Sequence, residues 1–93
     1  MSLGMKDSIE VQRTARREIT SLYDRFLEFK VKFEKESIGE KHYREQVGKL
    51  IDDINQKLIE QNKKELIDLC KLIGGNIVKE HEEVLRTIRT LQP

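Results

Sequence analysis

Apolar residues recur along the chain at intervals of three and four, which is the period of an amphipathic α-helix. The first series steps by 4, 3, 4, 3 and 4, so it forms a heptad seam and predicts helix 1 over about residues 8–35. Its members are Ala15, Ile19, Leu22, Phe26, Phe29 and Phe33. The alternating β-branched runs that indicate strands are missing from the sequence. The pattern therefore predicts an all-α fold.

A second series of apolar residues predicts helix 2 over about residues 39–73. We expect a tight turn before it, because Gly39 tolerates a positive φ and Ser37 with Glu40 matches the S-x-x-E capping box. The series has a stutter at Asn62, where an apolar residue is due. Residues 61–64 are compatible with a loop or a continuing helix, and we favour the helix. The series comprises Tyr43, Val47, Leu50, Ile54, Leu58, Leu66, Leu69 and Ile73.

The pair Gly74-Gly75 predicts the end of helix 2. Two adjacent glycines cost a helix interior roughly 2 kcal/mol relative to alanine, and Asn76 is a good N-cap for a following helix. Helix 3 is then predicted over about residues 77–91. The apolar phase continues from Ile73 to Ile77, however, so one continuous helix over residues 40–91 stays an alternative.

These helix lengths predict an uncovered apolar surface on a long antiparallel hairpin. At 1.5 Å per residue, helix 3 would be about 22 Å long, against roughly 42 Å for helix 1 and 50 Å for helix 2. It would leave half of the hairpin bare, and burying large apolar side chains is a main source of stability. We therefore expect a homodimeric helical bundle, as in a coiled coil, with a monomeric three-helix bundle as the alternative. The expected interface residues are Leu22, Phe26, Phe29, Phe33, Tyr43, Val47, Leu50 and Ile54.

Composition narrows the class of protein. The 93 residues suit one domain over residues 5–93, with residues 1–4 read as a short leader before Met5. Charged residues make up 38% of the chain, against about 25% in typical domains, so we expect them to solvate helix faces. The single cysteine, Cys70, excludes an intramolecular disulfide. With no membrane-spanning run and no signal peptide, the expected location is the cytoplasm, without membrane contact.

Few residues suggest chemistry beyond packing. Arg13, Arg16 and Arg17 share one helix face and could contact an anion or an acidic partner, yet the net charge of +1 does not favour nucleic-acid binding. The pair His81-Glu82 resembles the phosphoacceptor helices of two-component signalling, where the imidazole attacks a phosphoryl group. No paired ligands at zinc spacing occur, so neither a metal nor a cofactor is expected. Cys70 has apolar neighbours, which predicts a buried side chain.

The sequence therefore predicts a non-enzymatic interaction module, such as an adaptor, scaffold or regulatory subunit. It would bind itself and another protein through the exposed apolar stripe, with Gln61 and Asn62 fixing the register of the packed helices. The alternative is a nucleic-acid-binding or phosphorelay accessory protein that uses Arg13, Arg16 and Arg17 or His81.

Overall fold

The computed structural model describes the backbone of residues 3–91 and the side chains of residues 9–87. It has three helices, α1 (Leu3–Glu34), α2 (Glu40–Glu60) and α3 (Lys64–Leu91). Each helix packs against the other two, and the molecule measures 66 × 21 × 14 Å. The prediction of an all-α fold is confirmed, since the described residues contain no strand.

The turn between α2 and α3 lies at residues 61–63, not at the glycine pair. Helix α2 ends at Glu60, thirteen residues before the predicted end, and Gln61 adopts an extended conformation with ψ 139°. The side-chain amide of Gln61 also donates, through Nε2, to the main-chain oxygen of Lys57 at 3.0 Å. The stutter at Asn62 therefore marks a chain reversal. Asparagine is favoured in turns because its short side-chain amide can hydrogen-bond the nearby backbone. Gln61 and Asn62 both lie in this turn, outside the helices, so they do not occupy the packed helical positions from which they were expected to fix register.

Helix α3 continues through Gly74 and Gly75, so the predicted break is wrong and the continuous alternative holds at this point. The residues on either side explain the continuity, because Cys70, Ile73 and Ile77 are all buried in one uninterrupted phase. Tertiary packing of an amphipathic face supplies most of a helix's stability in a protein. That packing outweighs the low helix propensity of two glycines.

The turn between α1 and α2 also differs from the prediction. Its positive φ, 61°, is at Glu36 rather than Gly39. The Ser37 amide donates to the Lys32 carbonyl at 2.8 Å and the Glu36 amide to the Phe33 carbonyl at 3.0 Å, which together form a Schellman motif. Gly39 is the N-cap of α2 and no side chain caps that helix, so the expected Ser37–Glu40 capping box does not form. The hydrogen bonds that close this turn therefore involve the last residues of α1 and not a side-chain cap on α2.

The core of the bundle contains most of the residues predicted for a dimer interface. Six of those eight, all but Phe29 and Phe33, are at most 6% exposed within the single chain, and those two are partly buried against the same core. The prediction of an exposed apolar stripe is therefore wrong. Its premise was a short third helix, whereas α3 has 28 residues and covers both other helices. The buried side chains are Ile19, Leu22, Phe26, Tyr43, Val47, Leu50, Ile54, Leu66, Cys70, Ile73 and Ile77.

Replacing Gly75 with alanine should stabilise the protein by about 1 kcal/mol, because a methyl group there meets nothing within 4 Å and alanine favours the helix. The melting temperature should rise by about 4–8 °C. Gly39→Ala is the matched control and should give no gain, because this N-cap has extended angles and alanine is a poor cap. A lower melting temperature for Gly75→Ala would contradict the continuous α3.

The purified chain should sediment as a monomer of 11.0 kDa, because the phenylalanine-rich end of the bundle is already enclosed. Sedimentation equilibrium over a wide concentration range measures this mass. A dimer that persists at low concentration and dissociates on Phe29→Asp would restore the interface expected from the sequence.

Candidate functional site

An open groove lies between the end of α1, the α1–α2 turn and the second half of α3. Its volume is about 810 Å³, within the range of roughly 300–1,000 Å³ that is typical of ligand pockets. We call it the acidic groove. Its lining residues are Lys30, Phe33, Glu34, Glu36, Ser37, Ile38, Gly39, Glu80, Glu83, Val84 and Thr87.

The floor of the acidic groove is apolar and is anchored in the core. Phe33, Ile38 and Val84 are partly buried and pack against the central cluster. The Phe33 ring stacks on Tyr43, with centroids 4.6 Å apart and planes inclined by 11°. Tyr43 in turn contacts the His81 ring at 5.4 Å. Because Tyr43 is fully buried, these contacts fix the floor in place. We call the three rings, one from each helix, the helix-to-helix stack: Phe33, Tyr43 and His81.

The rim of the acidic groove is negatively charged. Four glutamates and one lysine line it, which leaves three negative charges in excess. Lys30 pairs with Glu80 at 3.6 Å, and the Tyr23 hydroxyl donates to the same carboxylate at 2.7 Å. Glu34 and Glu36 form no salt bridge within the described part of the chain.

The ionisation of two tyrosines reflects this negative charge. The hydrogen bond to Glu80 raises the pKa of Tyr23, with burial and the charge of Glu80 acting in the same direction. Burial raises the pKa of Tyr43 to about 12, and the charges of Glu34 and Glu80 add to the effect. Both phenols are therefore neutral at physiological pH, and that of Tyr23 donates to Glu80.

His81 lies in the helix-to-helix stack and not on an open surface. Its ring packs on Tyr43, and its Nδ1 atom is buried without a hydrogen-bond partner in the described structure. Desolvation lowers the pKa of His81, the positive charge of Arg44 lowers it further, and Glu82 partly opposes both. This is the packed role that an apolar-stripe histidine usually has.

The arginines singled out from the sequence are exposed on α1. Arg16 reaches Glu65 of α3 at 3.8 Å, so one of the three charges has an acidic neighbour. Since side chains at both ends of that pair are more than half exposed, the contact contributes little stability. The structure places these arginines in the first half of α1, away from the acidic groove.

Cys70 is 2% exposed, which confirms the predicted burial. Desolvation raises the pKa of its thiol, and the nearby charge of Lys57 only partly offsets that rise. A thiol that resists ionisation is a poor nucleophile. Among the described residues, no group of three or more His, Cys, Asp or Glu side chains is placed to hold a metal ion.

A second depression, of about 480 Å³, lies between α2 and α3 over Gly74 and Gly75. Its apolar wall includes Ile51, Leu58 and Val78. The charged side chains around it have both signs: Lys71, Lys79 and Glu82. Its surface therefore has no strong charge preference, in contrast to the acidic groove.

Of the residues in the acidic groove, Phe33 alone belongs to the set predicted from the sequence. The rim glutamates fall under the expectation that charged residues solvate helix faces, and Glu34 with Glu36 is separated from Glu80 with Glu83 by almost half the chain. The available signal was the excess of acidic residues at 34, 36, 80 and 83. These four residues could be recognised as one acidic cluster only once the direction of α3 was known.

Comparison with known proteins gives no relative. No protein-family model matches the chain, and no curated protein or solved structure does either. Among the described residues, no helix is both long enough and apolar enough to cross a membrane.

Acidification should destabilise the protein in a window set by His81. Its folded-state pKa is below the ordinary value of 6.5, so the unfolded chain binds a proton first as the pH falls. The free energy of unfolding should be constant above about pH 6.5 with respect to this group, and should fall between 6.5 and the lower folded value. Urea denaturation at a series of pH values measures the effect.

His81→Phe should flatten this part of the pH profile, because it keeps a ring against Tyr43 and removes the titration. The comparison is between wild type and His81→Phe at the same series of pH values. Equal slopes for wild type and His81→Phe would contradict the assignment.

Proposed function

We propose that this protein is a non-enzymatic interaction module that binds a segment of another protein in the acidic groove. The observation that carries the proposal is an open, apolar-floored groove of about 810 Å³ with four glutamates in its lining. Apolar surface that stays exposed in a concave site is a common feature of partner binding. The module would act as an adaptor, scaffold or regulatory subunit.

The floor of the groove supports binding by burial of apolar side chains. Ile38 lies in the turn, Phe33 in the last turn of α1, and Val84 in the second half of α3. Because the Phe33 ring is fixed by Tyr43, the site needs little rearrangement to accept a side chain. A preformed pocket lowers the entropy cost of binding.

The partner in this proposal is another protein and not a second copy of the chain. The case for self-association rested on eight apolar residues, six of which are now part of the core. The groove leaves apolar surface of its own, and its like charge opposes close approach of two identical grooves. Homodimerisation through the original eight residues is the expectation from the sequence, whereas the burial of six of them in the core favours a monomer; the sedimentation measurement distinguishes the two.

Site-specific photo-crosslinking in cells tests the proposal. A photoreactive residue at Ser37, in the groove, should crosslink one partner, whereas the same residue at Asp53, exposed on α2, should not. The partner is then purified and titrated with the full chain by calorimetry. Equal crosslinking at both positions would contradict docking in the groove.

Two matched substitutions locate the binding energy. Ile38→Ser should weaken binding to the purified partner by about tenfold or more, because it removes an apolar part of the floor. Ile59→Ser makes the same chemical change at a residue that is 77% exposed and outside the groove, so the affinity should not change. If Ile59→Ser weakens binding as much as Ile38→Ser, the site is wrong.

A further inference from the structure

We infer that the acidic groove accepts a basic amphipathic helix, with apolar residues on one face and lysine or arginine on both flanks. This inference rests on the proposed function and names the chemical class of the partner. It depends on three features of the groove: the distribution of charge, the helices that bound it and the conformation of Glu36.

The charges of the groove stand on both sides of its apolar floor. Glu34 and Glu36 come from α1 and the following turn, while Glu80 and Glu83 come from α3. The one basic residue of the lining, Lys30, already pairs with Glu80. A bound segment therefore meets carboxylates along both of its edges. Basic side chains at those edges would be attracted, and acidic ones would be repelled.

The walls of the groove favour a helical partner. The second half of α1 runs beside α3 in the same direction, since Arg16 lies 3.8 Å from Glu65 near the start of α3 and Lys30 lies 3.6 Å from Glu80 further along both helices. The groove therefore follows two neighbouring helices, and a third element laid into it packs as in a four-helix bundle. The described residues contain no strand edge that could pair with an extended peptide.

The length of the groove sets the spacing of the anchors. Its α3 wall runs from residue 80 to residue 87, about 10 Å at 1.5 Å per residue. That length corresponds to two helical turns. A partner helix would place apolar side chains at positions i, i+4 and i+7 over Phe33, Ile38 and Val84.

Glu36 belongs both to the acidic lining of the groove and to the α1–α2 turn, whose backbone it strains. It has a φ of 61°, a conformation in which a Cβ atom is unfavourable and glycine is preferred. The glutamate at this position weakens the turn and places a carboxylate in the groove lining. Strained residues of this kind are concentrated at binding sites. A binding role in the groove therefore accounts for a glutamate at this position, whereas the turn alone would favour glycine.

Three synthetic peptides test the inference. They share leucines at i, i+4 and i+7 and differ only in the flanking residues, which are lysine, glutamine or glutamate. We titrate each into the ¹⁵N-labelled full chain at low salt and follow the amide resonances of Ser37, Ile38 and Val84. The lysine peptide should shift these resonances and bind at least about tenfold more tightly than the glutamine peptide. Its affinity should fall as salt is added.

A variant separates a binding role from a structural one. Glu36→Gly should raise the melting temperature, since it relieves the left-handed conformation, and should weaken the lysine peptide by about threefold or more. Glu45→Gln removes one negative charge from the exposed surface of α2, outside the groove, and should leave the affinity unchanged. If Glu36→Gly stabilises the chain without any loss of affinity, Glu36 does not contribute to binding and the inference is overturned.

The peptide series also distinguishes this inference from the proposed function. Equal binding of the glutamine and lysine peptides at the groove would overturn the basic class and leave docking in the groove intact. Shifts confined to resonances outside the groove, or no binding of the lysine peptide, would overturn the inference. The proposed function is tested separately by the crosslinked partner and the Ile38→Ser variant, which make no assumption about charge.

Discussion

The start of α3 determines the rest of the structure, because it fixes how far the third helix extends along the other two. Since the chain reverses at residues 61–63, α3 has 28 residues and reaches the α1–α2 turn. His81 then meets Tyr43, and Tyr43 meets Phe33, so that three rings from three helices close one end of the core. A reversal at residues 74–75 would have left that end open. The closure of the core and the formation of the acidic groove are consequences of the same reversal.

The helical period of the sequence predicts the identity of the core well. Ile19, Leu22 and Phe26 of the first series are buried, as are Tyr43, Val47, Leu50 and Ile54 of the second. The period could not place the second reversal, because the apolar series continues past both candidate breaks, in phase at the glycines and with only a stutter at Asn62. Intrinsic helix propensity favoured a break at the glycines, because the free-energy cost of glycine in a helix depends on the residue itself and can be estimated from the sequence. Burial around residues 70–77 reversed that preference, and such burial depends on contacts distant in sequence.

The same limit applies to the candidate site. A glutamate on a helix surface is usually solvated, and nothing local distinguishes Glu80 from Glu82. The difference arises from the neighbours: Glu80 accepts a hydrogen bond from Tyr23 and pairs with Lys30, both on α1, while Glu82 lines the depression over Gly74 and Gly75. Charge patterning along one helix could therefore not reveal a site made by two helices and a turn. The dimer expectation was wrong about exposure for the same reason, since it assigned contacts to helices whose lengths were not yet known.

Unfavourable local energies are concentrated at the end of the bundle that carries the groove. Glu36 has a left-handed backbone, and the buried Tyr43 Oη and His81 Nδ1 atoms have no hydrogen-bond partner in the described structure. Each such feature costs a folded protein stability, and although the Tyr43 and His81 rings close the core, their unpaired polar atoms contribute nothing to that closure. These costs are offset by one buried apolar cluster to which all three helices contribute, including Leu66, Cys70, Ile73 and Ile77 of α3. Natural proteins accept local costs of this kind at functional sites, and the position of these costs beside the acidic groove therefore supports the binding role proposed for it.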